Sequence, residues 1–224
     1  MNAAELTGRA RTHVATVPQL ASDLHVQVIA PFLSLRKQAL LDGFDLVAHS
    51  GFRDFERQLA IWNGKYQGTR PTYDAAGRAV DMHSLDPAGR IAAILHWSAL
   101  PGASRHHWGT DVDLIDARAV APDYRVQLLP EEYAGDGPFG RLGEWLQTNA
   151  ARFGFFRPYR GVLSGVRPEP WHYSFAPLAE GARRALGVDV LAQAIEAAPL
   201  AGKQEVLAQL DELHAKFVAA IDPP

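Results

Sequence analysis

The chain has 224 residues, a formal net charge of −3 and no cysteine. That length is enough for one domain with a hydrophobic core, and the small net charge offers no basic surface for nucleic acid or an anionic membrane. Without cysteine there can be no disulfide bond, thiolate metal ligand or cysteine nucleophile. A transition-metal site in this chain must therefore use His, Asp and Glu.

The N-terminal residues contain no apolar segment of signal-peptide length. No apolar run approaches the ~20 residues of a membrane-spanning helix, so we expect no membrane insertion. As the sequence stands, we expect a cytoplasmic protein; it would be periplasmic or cell-wall-associated if a leader had been trimmed away. The sequence leaves the oligomeric state open.

The spacing of apolar residues predicts helices and short strands along the chain. Residues 1–25 have weak periodicity and are expected to form a surface arm. The predicted helices cover residues 31–41, 54–62, 87–100, 138–153, 178–187, 188–198 and 203–221. The predicted strands cover residues 45–49, 111–116, 155–156 and 171–175. Loops are expected over 64–86 and 117–137, and long loops are often functional.

The strands and helices do not alternate with regular βαβ spacing, so the predicted fold class is α+β. We expect a small antiparallel sheet that carries the functional residues and is flanked by helices. Residues 1–177 would form the catalytic domain with its N-terminal arm. Residues 178–224 would form a C-terminal helical extension packed on the same domain.

The stretch SRHHWGTDVD, residues 104–113, brings two imidazoles and two carboxylates together around a glycine. Zinc without thiolate ligands binds neutral imidazole and carboxylate, and a catalytic zinc keeps one position open for water. If Asp113 lies on a strand and His106 on the preceding loop, both side chains can face one cleft. These two residues are the first candidate ligands.

A second stretch, EPWH at residues 169–172, adds a further imidazole and a further carboxylate. Alternation along the predicted strand puts Trp171 on one face and His172 on the other, so His172 can reach the cleft as the third ligand. Pro168 and Pro170 prevent a regular helix and hold Glu169 on a stiff extended segment. Glu169 is therefore predicted to be the general base for a metal-activated water.

The two stretches, together with SGFR at residues 50–53, resemble the VanY-like zinc D-alanyl-D-alanine carboxypeptidases. That group belongs to the superfamily of lysostaphin-type enzymes and hedgehog domains. The resemblance covers about residues 45–176. The family pattern SxHxxGxAxD is matched at Ser104, His106, Gly109 and Asp113, but Asp111 stands where alanine is usual. We expect this extra carboxylate to alter the charge on the ligand face.

The resemblance implies that His106, Asp113 and His172 bind one Zn²⁺ per chain and that Glu169 is the catalytic base. It also implies that Arg53 contacts the substrate and stabilises the oxyanion. A guanidinium suits that task because it stays charged and offers a planar fork of donors.

Three further residues are predicted to bind or position substrate. Gln58 matches the family spacing after Arg53. Ser104 is expected to orient the His106 loop or contact substrate, and Trp171 to form a pocket wall, although plain core packing would also explain it. His107 is either a supporting group or simply exposed.

The function that these residues favour is zinc-dependent hydrolysis of the bond to a C-terminal D-amino acid in a peptidoglycan-derived peptide. Three alternatives remain open at this point. The same site could belong to a lysin-type peptidoglycan endopeptidase, or to a hedgehog-like module that keeps zinc without hydrolysis. The residue pattern could also be a coincidence without any metal.

Overall fold

A computed structural model describes residues 1–74 and 76–224; residue 75, within the predicted loop 64–86, lies outside the described residues. The helices are α1 (Ala3–Leu6), α2 (Ile29–Leu41), α3 (Phe55–Tyr66), α4 (Pro87–Leu95), α5 (Gly140–Asn149), α6 (Ala176–Ala185), α7 (Val188–Glu196), α8 (Lys203–Ala208) and α9 (Leu210–His214). The strands are β1 (Val14–Ala15), β2 (Leu24–His25), β3 (Leu46–Ser50), β4 (Asp111–Asp116), β5 (Phe155–Phe156) and β6 (His172–Phe175). The predicted α+β class is confirmed.

The central sheet has four antiparallel strands in the order β3-β4-β6-β5. In the pairing of β4 with β6, Asp113 lies opposite His172 and Asp111 opposite Ser174. Because side chains alternate along a strand, these four residues share one face of the sheet. The register therefore decides which polar side chains meet.

The other face of the sheet is covered by α2 and α5. Its core includes Phe32, Leu35, Leu46, Val112, Leu142, Leu146 and Tyr173. All six residues of β4 are buried. Val112 and Leu114 face this core, while Asp111 and Asp113 lie on the opposite face with His172. The predicted alternation in β4 and β6 is confirmed.

Residues 1–25 were expected to form a surface arm. This is wrong for the part of the segment that is buried. The Trp108 indole Nε1 donates to the carbonyl of Leu6 (3.1 Å), and the His13 ring lies 2.9 Å from the carbonyl of His107. Gly8 also faces the His107 ring so closely that a Cβ there would lie 2.3 Å from Nδ1. The N-terminal segment is thus packed behind the turn that carries His106.

The C-terminal helices share a core with α3 and α4. This core includes Phe55, Leu59, Trp62, Ile91, Ile94, Leu186, Leu191, Ile195, Val206 and Leu213. The predicted helix over 203–221 is broken at Gln209, whose φ of −123° and ψ of 20° are not helical. The predicted helix over 87–100 ends at Leu95. No helix in the described part of the chain is long and apolar enough to span a bilayer.

The last residues of the chain bind the loop that leads to β6. The buried Asp222 carboxylate accepts the backbone N–H groups of Arg160 (2.5 Å) and Leu163 (3.1 Å), and its own N–H donates to the carbonyl of Pro158 (2.9 Å). Ile221 packs with Phe156 and neighbouring residues of that loop. The tail therefore fixes the segment that precedes Glu169.

We expect Asp222→Ala to lower the free energy of unfolding by about 2 kcal/mol, because two enclosed N–H groups lose their acceptor. The urea midpoint, followed by circular dichroism, measures this loss. Asp136→Ala is the matched control, since Asp136 is exposed. Equal midpoints for the two variants would contradict a structural role for Asp222.

Candidate active site

The turn between residues 104 and 109 brings the two stretches of the site together. Residues Arg105–Trp108 form a 3-10 turn that ends at Gly109 in the left-handed conformation (φ 64°). A Cβ at Gly109 would lie 2.6 Å from Val14 Cγ1 and 2.7 Å from the backbone nitrogen of His25. Only glycine fits both this conformation and this contact, so the turn leads directly into β4.

The three predicted metal ligands meet in the folded chain. One nitrogen or oxygen atom from each of His106, Asp113 and His172 lies within 4.8 Å of the others. His106 Nε2 is 3.4 Å from Asp113 Oδ2, and His172 Nδ1 is 3.2 Å from Asp113 Oδ1. All three residues are buried.

The second nitrogen of each imidazole is held by the protein. Nδ1 of His106 lies 2.8 Å from the carbonyl of Gly51, and Nε2 of His172 lies 2.9 Å from Asp111 Oδ1. An imidazole that donates from one nitrogen presents a lone pair at the other. The free lone pairs are therefore on Nε2 of His106 and Nδ1 of His172, the two atoms that face Asp113.

Asp113 has an oxygen without a donor. Its Oδ1 is buried and makes no hydrogen bond. Burial works against the charged carboxylate, but His106 and His172 outweigh it and hold the pKa of Asp113 well below its usual value. A buried anion beside two imidazole lone pairs fits a zinc ion, which takes nitrogen and carboxylate ligands of this kind.

Asp111 occupies a different position from the one expected of an extra carboxylate beside the ligands. It is completely buried and accepts hydrogen bonds from Arg105 Nε (2.8 Å), Thr110 Oγ1 (2.6 Å) and Ser174 Oγ (2.9 Å), besides its contact with His172. These contacts occupy both of its oxygens. Asp111 thus orients a ligand and is not grouped with the three ligands.

These contacts determine how the pKa values of Asp111 and His172 are shifted. Burial opposes ionisation of Asp111, but the charge of Arg105 and the hydrogen bond to His172 outweigh it and lower the pKa of Asp111. Burial also opposes a charged His172 ring, yet the hydrogen bond to Asp111 and the charge of Asp113 outweigh it and raise the pKa of His172 to about 10. The ring must therefore give up the proton on Nδ1 when that atom binds a metal.

Sequence reasoning missed Arg105. Its Nη2 also donates to Ser174 Oγ (2.6 Å), and its guanidinium lies 4.8 Å from the centre of the Trp108 ring. The feature of the sequence that could have pointed to Arg105 was Asp111. A buried carboxylate in place of alanine needs a cation, and Arg105 is the nearest one in the sequence.

Glu169 lies beside the ligands on the extended segment between two prolines. Its Oε2 is 3.4 Å from His172 Nδ1, and its backbone N–H donates to the carbonyl of Tyr159 (3.0 Å). Burial raises the pKa of Glu169 to about 7. A carboxyl group of this kind can both take up and release a proton near neutral pH.

Arg53 reaches the same cleft from the segment between β3 and α3. Its guanidinium donates to Gln58 Oε1 (2.9 Å) and Ser50 Oγ (3.2 Å), while its buried Nε makes no hydrogen bond. Burial lowers the pKa of Arg53. Each terminal nitrogen of the guanidinium has a second N–H, and Arg53 lines the cavity, so the fork can still bind a ligand.

Gln58 was predicted to have a structural or substrate-positioning role, and it lies behind Arg53. It is fully buried, and its amide nitrogen donates to the carbonyl of Ala99 (2.8 Å) while its oxygen binds Arg53. Its role in the structure is to hold the guanidinium.

His107 is also buried rather than exposed. Its Nδ1 lies 2.6 Å from the carbonyl of Arg53, and its Nε2 accepts the N–H of Gly102. Burial lowers the pKa of His107 to about 3, so the ring is neutral. It links the His106 turn to the Arg53 segment.

One cavity of about 760 Å³ is lined by Arg53, His106, Asp113, Glu169 and His172. Ser104 and Trp171 line it, and their contact with substrate stays a prediction. The predicted loop 64–86 also contributes to the wall through Tyr73, Ala76 and Gly77. The cavity is large enough for a short peptide.

Comparison with known proteins identifies the class. Residues 21–178, more than half of the chain, match the family model described as VanY: D-alanyl-D-alanine carboxypeptidase. The chain belongs to this family and is a carboxypeptidase-type hydrolase by membership, which confirms the resemblance drawn from the motifs.

Two individual proteins are similar to this chain over part of its length. A D-alanyl-D-alanine carboxypeptidase of Enterococcus faecalis is 30% identical over 162 residues, which cover 70% of this chain and 50% of that protein. An uncharacterized protein of Haemophilus influenzae is 44% identical over 98 residues, or 42% of this chain and 67% of that protein.

Solved structures share the fold. VanYB in complex with D-alanine-D-alanine has a TM-score of 0.55 at 22% identity, covering 80% of this chain and 86% of that one. A VanY D,D-pentapeptidase in complex with Zn(II) has a TM-score of 0.53 at 22% identity, covering 88% and 90%.

The contacts of Asp111 generate a prediction about metal affinity. Arg105→Met combined with Asp111→Ala removes both members of a buried ion pair, a change that often leaves stability nearly unaltered. The His172 ring then loses its partner, so we expect Zn²⁺ affinity to fall about 10- to 100-fold. Competition with a chromophoric chelator measures it, with Asp136→Ala as control. Unchanged affinity would refute the orienting role.

Proposed function

We propose that this protein is a zinc-dependent carboxypeptidase that removes a C-terminal D-amino acid from peptidoglycan-derived peptides. The observation that carries the proposal is that one cavity brings together three ligand atoms, the Glu169 carboxyl group with a pKa of about 7, and the Arg53 guanidinium. Only some of the N–H groups of Arg53 are hydrogen-bonded within the protein. Family membership supports the reaction class.

In this proposal the metal is one Zn²⁺ held by His106 Nε2, an oxygen of Asp113 and His172 Nδ1. When bound there, zinc would polarise the scissile carbonyl and lower the pKa of the attacking water. The chain's part is to hold the three ligand atoms in place. Gly51 and Asp111 fix the two rings, and Arg105 holds Asp111.

Glu169 is the proton carrier in the proposed reaction. Its Oε2 would accept a proton from the attacking water and deliver it to the leaving amine nitrogen, so the carboxyl group ends the cycle as it began. Its 3.4 Å separation from His172 Nδ1 keeps it next to the ligands. The raised pKa supports both halves of this transfer, because the proton is neither bound too weakly nor held too strongly at neutral pH.

Arg53 is the proposed partner of the substrate carbonyl. Its place in the cavity wall and its position near Asp113 and Glu169, the two carboxylates that act on it, suit an oxygen that becomes negative during attack. Gln58 and Ser50 hold the guanidinium in one orientation, which reduces the reorganisation needed when that charge develops.

The substrate class rests on the family and on its relatives. VanYB was solved with D-alanine-D-alanine, and the Enterococcus faecalis relative is a D-alanyl-D-alanine carboxypeptidase. An endopeptidase with the same site would not need a free C-terminus, and a non-catalytic zinc module would not need Glu169. Defined peptides with free or blocked ends separate these alternatives.

We expect Glu169→Gln to abolish release of D-alanine from a peptide ending in D-Ala-D-Ala while one Zn²⁺ per chain is retained, because glutamine keeps the shape but cannot carry the proton. Amino acid analysis of the products and elemental analysis of the protein measure the two quantities.

The matched control is Glu131→Gln, an exposed glutamate at the same cavity, which should keep activity. Turnover by the Glu169→Gln protein would overturn the proton-transfer role. Loss of zinc from that variant would instead make Glu169 a ligand.

A further inference from the structure

Lys65 is a charged group of the cavity that the motifs do not include. It lies in the last turn of α3, lines the cavity that contains the three ligands, and is half-buried. Its Nζ donates to Ser98 Oγ (2.7 Å). Among the ion pairs of the described residues, none joins Lys65 to a carboxylate within 4.0 Å.

Lys65 and Arg53 are held by the same two structural elements. Gln58 and Lys65 lie seven positions apart on α3, a spacing that puts both on one face of the helix. Gln58 joins Arg53 to the carbonyl of Ala99, and Ser98 holds Lys65. Two cations are therefore fixed side by side between α3 and the segment that follows α4.

The charges around each cation indicate which groups lie near it. Asp113 and Glu169 are the carboxylates that act on Arg53, and Lys65 is acted on by Glu169 and by the positive charges of Arg53 and Arg70. Lys65 thus shares the cavity wall with Arg53 and Glu169. Burial lowers the pKa of Lys65 to about 8, which reflects the cost of enclosing an ammonium group without a counter-ion.

We propose that Lys65 binds the free C-terminal carboxylate of the residue that is cleaved off. This inference rests on the proposed function. With the scissile carbonyl at the ligands and Arg53, the terminal carboxylate lies about one residue farther along the substrate, roughly 3.5 Å. An anion there provides the counter-ion that Lys65 lacks, and a charge-assisted hydrogen bond recognises the end of a chain.

The test compares two peptides that end in D-Ala-D-Ala, one with a free carboxylate and one with a C-terminal amide. The unmodified enzyme should show kcat/KM for the free acid about 10- to 100-fold above that for the amide, as expected for a charged hydrogen bond. Lys65→Met should reduce this ratio to near one. Lys65→Arg keeps a positive charge and should keep most of the ratio.

Binding provides a readout that does not depend on turnover. Titration calorimetry with the Glu169→Gln protein should give the same preference for the acid, and adding Lys65→Met should remove it. A third peptide, amidated only at an acidic residue on the other side of the scissile bond, should bind and react like the free acid. If Lys65→Met instead removes a preference for that internal carboxylate, the assignment to the C-terminus is wrong.

The possible failures are distinguishable. Full retention of the acid preference in Lys65→Met overturns the role of Lys65 and leaves the proposed function intact. Absence of hydrolysis of either peptide by zinc-loaded unmodified enzyme overturns the proposed function itself. Circular dichroism of each variant verifies that the fold is retained.

Discussion

The pairing of β4 with β6 is the constraint on which the rest of the structure depends. It sets Asp113 opposite His172 and Asp111 opposite Ser174. This one pair of strands therefore aligns two predicted metal ligands, Asp113 and His172, with Asp111, which holds the His172 ring. A shift by a single residue would turn the aspartates into the apolar core and the aliphatic residues into the cavity. Large apolar contacts with α2 and α5 on the other face oppose such a shift.

Charge in this cleft is only partly balanced. Arg105 and Asp111 form a buried ion pair, but Arg105 Nη1 has no hydrogen-bond partner. Asp113 likewise has an oxygen without a donor and Arg53 a nitrogen without an acceptor. The cavity wall thus contains three charged residues with an unpaired polar atom. Burial makes unpaired charges costly, and such groups concentrate where ligands bind.

Much of the site could be predicted from the sequence, because the predicted ligands and the predicted base lie in two short stretches whose local structure follows from residue spacing. Strand alternation correctly placed His172 and Asp113 on the cleft face. What sequence reasoning missed depends on contacts between distant segments. The partnership of Arg105 with Ser174, the position of Gln58 behind Arg53 and the burial of the N-terminal segment become apparent only when the chain is folded.

The two ends of the chain contact opposite sides of the same cleft. Leu6 and Gly8 pack behind the His106 turn, and Asp222 holds the loop before Glu169. All three lie outside residues 21–178, the part matched by the family model. In this protein the segment that the family model matches is thus held on two sides by residues that lie outside it.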